Sequence, residues 1–177
     1  MELLVLPNAA PYENTDCKPS LLLPFMLVTS LFFFWGFIIN LDPILISHLK
    51  KSFSLSTLQS SFVDSAVFAA YFLMALPAGF IMKKYGYKAG IITGLMLFAA
   101  GSFLFIPAAN TQQYIFFLMA LFILACGLAI LETAANPYAA SLGNPATSTQ
   151  RLNFAQSFNG LAAALAPIIG ARLILTK

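Results

Sequence analysis

Five long apolar stretches divide this chain, at residues 21–46, 58–82, 89–108, 114–140 and 152–175. Each is long enough to cross the hydrocarbon core of a bilayer, which takes about 20 residues of helix. A segment in lipid must satisfy its own backbone hydrogen bonds, and an open sheet edge cannot do so. The sequence therefore predicts an all-α membrane protein with about five transmembrane helices. Composition agrees: 8% of residues are charged, against about 25% in soluble domains.

The connections are short and basic. With the N-terminus inside, Lys18, Lys83, Lys84, Lys88 and Arg151 fall on the cytoplasmic side. Lys50, Lys51, Arg172 and Lys177 then fall outside or near the outer face. The tight Lys83–Lys84–Lys88 group favours that orientation, because cytoplasmic loops carry the excess of Lys and Arg. Ser56 and Gln59 have the spacing of a capping box at the start of the second helix. Residues 1–20 mix Pro, Asn, Glu and Asp and read as a disordered cytoplasmic tail. Nothing there resembles a signal peptide, with its basic start and short apolar core. Gly90, Gly94 and Gly101 mark one face of the third helix as a close-packing surface, and the small residues from Gly160 to Gly170 in the fifth read the same way.

Beyond residue 16 there are three acidic residues, Asp42, Asp64 and Glu132, and all lie inside apolar stretches. A carboxylate at the centre of a membrane helix costs about 2.5–3.5 kcal/mol on insertion scales and usually faces a partner or a cavity. Glu132 lies near the middle of the fourth stretch, with Asn136 one turn later and Ala125 and Ala129 on earlier turns. Small neighbours leave room for water or a ligand. Asp42 follows Trp35 by seven residues, on the same face two turns away. An indole beside a hydrogen-bonding acid suits a sugar ring, whose C–H face stacks while its hydroxyls bond. Asp64 reads as a residue near a helix start, where the dipole favours a carboxylate.

The fifth stretch opens with Arg151, Asn153, Gln156 and Asn159. Gln156 and Asn159 are neighbours on the helix surface and could bond ligand hydroxyls or another helix. Other chemistries fit less well. Asn144-Pro145-Ala146 spells a water-channel tripeptide, but a single copy stands in a polar loop. No Gly-x-Ser-x-Gly motif is present, and the one His, His48, lies beside Lys50, which argues against an enzyme. Cys17 and Cys126 lack metal-ligand spacing. Basic clusters with interleaved aromatics are missing, so nucleic acid is not an expected partner.

Together these motifs resemble the fucose/glucose/galactose:proton symporter family of the major facilitator superfamily. The resemblance covers nearly everything from residue 24 to 175. It rests on Phe34-Trp35-Gly36-Phe37 with Asn40-Leu41, on Tyr71-Phe72-Leu73-Met74 with Pro77-Ala78-Gly79, and on Lys84-Tyr85-Gly86-Tyr87. Its most specific blocks are Leu131-Glu132-Thr133-Ala134-Ala135-Asn136-Pro137-Tyr138 and Arg151-Leu152-Asn153 with Gln156 and Asn159.

The resemblance implies an alternating-access carrier coupling sugar entry to proton entry, with Na⁺ as the other possible coupling ion and no cofactor. It implies proton coupling at Glu132 and sugar contacts from Trp35, Asn40, Gln156 and Asn159, beside Asn136. It makes helices one, four and five the cavity wall. The family's helix 1 acid falls on Pro43, and Asp42 stands one residue earlier, about 100° round a helix; Asp42 is the candidate replacement. Family members have twelve helices in two halves. The expected architecture is thus an N-terminal portion, residues 21–177 as helices one to five, whose partner is the missing C-terminal half, in a bacterial inner membrane. The competing expectation is a membrane subunit, or an inactive truncated product, that does not transport.

Overall fold

The computed structural model describes residues 21–52, 56–111 and 113–174. The N-terminal tail lies outside the described residues. All regular structure among them is helical. Helix α1 is Leu22–Ser52. The stretch Thr57–Thr111 carries 55 residues of helix broken at one point, Gly86. A straight helix of that length would measure roughly 80 Å, more than twice a bilayer's ~30 Å core. Gly86 has φ 81° and ψ 172°, a conformation open essentially to glycine. It divides the stretch into α2 (57–85) and α3 (87–111).

Packing shows that the two arms fold back. Val67, Ala70 and Met74 from α2 and Leu97 from α3 share one apolar cluster with Phe122, Ala125 and Cys126. Ala70 and Leu97 would lie about 40 Å apart on a straight helix. The six-residue connection expected between these helices is compressed into one glycine, with both helices running up to it. Helix α4 is Tyr114–Ser141, and α5 is Ser148–Ile174, preceded by a short 3₁₀ turn at Pro145–Thr147. The expected start of α5 near Leu152 was a turn late: the Asn144 side chain accepts from Ala146 N and supports the 3₁₀ turn that leads into it.

The second helix starts as its sequence dictates. Ser56 N donates to Gln59 Oε1 at 2.9 Å, and Gln59 N donates to Ser56 Oγ at 3.2 Å. These are the two reciprocal bonds of a capping box. Tyr114 Oη donates to the carbonyl of Gln59 at 2.7 Å, so the start of α4 is tied to the start of α2. Phe105 and Phe117 meet edge to face across the α3–α4 turn, with centroids 5.0 Å apart.

Glycines set the α3–α4 contact. A Cβ on Gly90 would lie 2.9 Å from Ala134 Cβ, one on Gly94 2.9 Å from Leu131 N, and one on Gly101 2.5 Å from Leu124 N. The partners descend as the glycines ascend, so the helices are antiparallel. Close backbone approach of this kind is the use of small residues in membranes. Helices α1 and α5 run parallel: Phe25 stacks on Phe154, Gly36 meets Asn159, and Gly170 meets Leu41 and Ile44. On α5 the packing face is Ala155, Ala162, Ala166 and Gly170, all buried; Gly160, expected with them, is exposed and has open space at its Cβ position.

The outside is hydrocarbon. Phe72 is 82% exposed, and Leu76 and Phe80 follow it on the same face of α2. Such a surface would aggregate in water and is at home in lipid. The protein is an integral membrane protein.

Candidate functional site

The carboxyl of Glu132 faces a cavity of about 540 Å³ between α1, α2, α3 and α4. That volume is within the roughly 300–1,000 Å³ of small-molecule sites. Trp35 enters it from α1, Asp64 and Tyr71 from α2, Phe105 from α3, and Ala125, Leu128 and Glu132 from α4. On α2 the lining residues Asp64, Val67, Phe68 and Tyr71 follow helical spacing, so one face of that helix is turned to the cavity.

Three side chains from three helices meet there. Trp35 Nε1 donates to Tyr71 Oη at 3.4 Å. Tyr71 and Glu132 line the same cavity, from α2 and α4. All three side chains are half-buried. Trp35 is held from behind, packing against the cluster of Val28, Phe32, Ala135, Ala139 and Leu142, with its ring edge to face on Phe32 at 5.9 Å. The indole therefore presents a fixed face, bonded to the phenol, on the cavity that the acid also lines.

The remaining candidates are placed differently. Asn40 Nδ2 donates to its own helix at the carbonyl of Gly36, 2.7 Å away. Asn136 Nδ2 donates to the carbonyl of Glu132, and Gln156 Nε2 donates to Asn136 Oδ1, both at 3.2 Å. Asn159 lies against Gly36, where a Cβ would be 2.8 Å from its side chain. The structure thus brings Trp35 and Glu132 together in the cavity, and sets Asn136, Gln156 and Asn159 along the junctions of α5 with α4 and α1. The cavity wall is completed by α2 rather than α5. The side chain of Asp42 lies outside the described residues.

Two residues differ from the expectation. Asp64 is not in the first turn of α2, beyond which a helix dipole has little effect; it is exposed and lines the cavity mouth shared with Trp35 and Glu132. Tyr71 was not singled out as a site residue. Its signal is a phenol seven residues after Asp64, behind the apolar run Ala66–Ala70, which places the hydroxyl on the face that carries the acid.

The cavity has the chemistry of a binding site. Its wall is mostly hydrocarbon, with an indole face for stacking and a few polar atoms at defined places. Among the described residues no group of His, Cys, Asp and Glu could hold a metal.

Comparison with known proteins gives the class. Residues 25–176 match the Major Facilitator Superfamily. The glucose/galactose transporter of Brucella abortus biovar 1 is 50% identical over 149 residues, covering 84% of this chain and 36% of the relative. The L-fucose-proton symporter of Escherichia coli K12 is 47% identical over 158 residues, covering 89% of this chain and 36% of the relative. A crystal structure of a fucose transporter of this superfamily, in the outward conformation, superposes with a TM-score of 0.78 at 47% identity, covering 89% of this chain and 38% of that one. The chain belongs to the Major Facilitator Superfamily and, within it, to the family of the fucose and glucose/galactose transporters. These are transporters and not enzymes. The chain spans 36% of the length of the curated relatives it matches.

Proposed function

We propose that this chain supplies one wall of a carrier that imports a hexose or deoxyhexose together with a proton, by alternating access. The observation that carries the reading is the convergence of Trp35, Tyr71 and Glu132 on one cavity from three different helices. An apolar sugar face stacks on the indole, and hydroxyls bond to the phenol and carboxyl. Glu132 takes up the proton in one orientation of the carrier and releases it in the other. Relatives that are glucose/galactose transporters and an L-fucose-proton symporter support both halves of this reading.

In carriers of this architecture the site lies near the midplane between two repeats. The facing wall would come from a C-terminal half of the length seen in the relatives. Asn136, Gln156 and Asn159 stand along the junctions of α5 with α4 and α1, Asn40 stands on α1, and all four would reach substrate from there. Lys83, Lys84 and Lys88 cluster at the Gly86 turn, where all three are exposed. Their charge favours a cytoplasmic position for that turn and an N-terminus inside, and the bacterial relatives support residence in a bacterial inner membrane.

The test is uptake in proteoliposomes by the full-length gene product containing this chain. Radiolabelled glucose, galactose and fucose are offered separately, with an inward proton gradient, with an inward Na⁺ gradient, and with neither. The expected result is accumulation of at least one of these sugars that collapses with a protonophore. Accumulation driven by Na⁺ alone, or no accumulation of any of them, would contradict the proposal.

A further inference from the structure

We propose that Tyr71 is a positioning residue that links Trp35 to Glu132, so that the state of the acid is felt at the aromatic wall through one phenol. The geometry carries this. Trp35 Nε1–H occupies one lone pair of the Tyr71 oxygen at 3.4 Å. An indole N–H can only donate. The single proton of the phenol is therefore left for another acceptor, and the carboxyl of Glu132 lines the same cavity as Tyr71.

When Glu132 is ionised, Tyr71 donates to it in a charge-assisted bond, stronger than a neutral one. Donation polarises the phenol oxygen and strengthens the bond it accepts from Trp35, as hydrogen bonds in series do. When Glu132 is protonated that assistance is lost and the indole is held less firmly. Linkage makes the effect reciprocal: whatever displaces the indole or fills the space before it changes the proton affinity of Glu132. The coupling of sugar to proton along this path rests on the function proposed above. The link among the three side chains does not.

Several other titratable groups face these residues. Asp64 lines the same cavity from α2. Tyr138 of α4 packs in the apolar cluster behind Trp35. From α1, the side chain of Asp42 lies outside the described residues. No titratable residue of α3 or α5 is among those lining the cavity.

The chain has one tryptophan, so its intrinsic emission reports Trp35. The chain is reconstituted in lipid nanodiscs, and emission is recorded from acid to alkaline pH without substrate. The expected result is a pH-dependent change in emission that is lost in Glu132→Gln and equally lost in Tyr71→Phe, which keeps the ring and removes only the hydroxyl. A second readout does not need the tryptophan. The infrared carboxylic C=O band, identified by its disappearance in Glu132→Gln, should shift in Tyr71→Phe. Retention of the wild-type emission response in Tyr71→Phe, with an unshifted band, would overturn the proposal. So would an emission response that survives Glu132→Gln and disappears in Asp42→Asn, Asp64→Asn or Tyr138→Phe. A Tyr71-dependent pH response in a protein that ignores every hexose and deoxyhexose supports the link and counts against the sugar reading instead.

Discussion

Gln156 on α5 donates to Asn136 on α4 across 3.2 Å, and Asn136 in turn donates to the backbone carbonyl of Glu132. Two amides thus run from the α5 junction to the helical turn that carries the acid. Because one side chain bonds the next, their contributions are coupled and not additive. A double-mutant cycle with Asn136→Ala and Gln156→Ala, read by thermal unfolding in detergent, should give a coupling of about 0.6 kcal/mol, the average for interhelical hydrogen bonds in membranes. Strictly additive losses would mean the two amides act independently.

Gly86 holds the turn between α2 and α3 at φ 81° and ψ 172°. A side chain there meets open space, so the cost of Gly86→Ala is conformational and not steric. It should destabilise by about 1–3 kcal/mol, seen as a lowered unfolding temperature with no new packing defect. An unchanged unfolding temperature would show that the turn is not held in this conformation.

Gly101 behaves oppositely. Its φ is ordinary, but a Cβ would lie 2.5 Å from the backbone N of Leu124. Backbone cannot yield as a flexible side chain can. Gly101→Val should push α3 away from α4 and cost about 1–3 kcal/mol or more, as overpacking does. Gly160→Val on α5, with open space at its Cβ position, is the matched control and should leave the stability within about 0.5 kcal/mol of wild type.

Arg151 closes the α4–α5 connection. Its Nη1 donates to the carbonyl of Asn144 at 2.9 Å and to Thr147 Oγ1 at 2.5 Å, and its Nη2 to the carbonyl of Ala140 at 2.7 Å. The guanidinium thereby spans the end of α4 and the start of α5, a task a point charge cannot perform. Arg151→Lys keeps the charge and loses the fork. It should cost about 1.5–3 kcal/mol and make the connection near Gly143 more sensitive to limited proteolysis. Resistance equal to wild type would show that charge alone is enough.

Much of the fold was legible because membrane helices announce themselves by length. The capping box at Ser56 and Gln59 and the glycine face of α3 were also readable, since each depends on local spacing alone. The Gly86 turn was harder. Lys83, Lys84 and Lys88 suggested a loop of several residues, yet the polar side chains sit on helix and a single glycine makes the reversal. The candidate site was legible where one residue type is costly in lipid: Glu132 stood out for that reason and lines the cavity. It was less legible where the meaning depends on a partner. Asp64 looked like a helix-start residue until the turn count placed it facing the cavity. Tyr71 is one of six tyrosines, and only the crossing of α1, α2 and α4 distinguishes it. The placing of α5 beside the cavity rather than in its wall follows from its parallel packing on α1, which no pattern within α5 specifies.

The central claim is that Glu132 carries the coupled proton. The most direct measurement compares wild type and Glu132→Gln of the full-length gene product in proteoliposomes, for both uphill accumulation and equilibrium exchange of the transported sugar. Glutamine keeps the shape and a hydrogen-bonding end but cannot release a proton. The account predicts that accumulation against a gradient is abolished while exchange without net proton movement continues. Undiminished proton-driven accumulation in Glu132→Gln would contradict it.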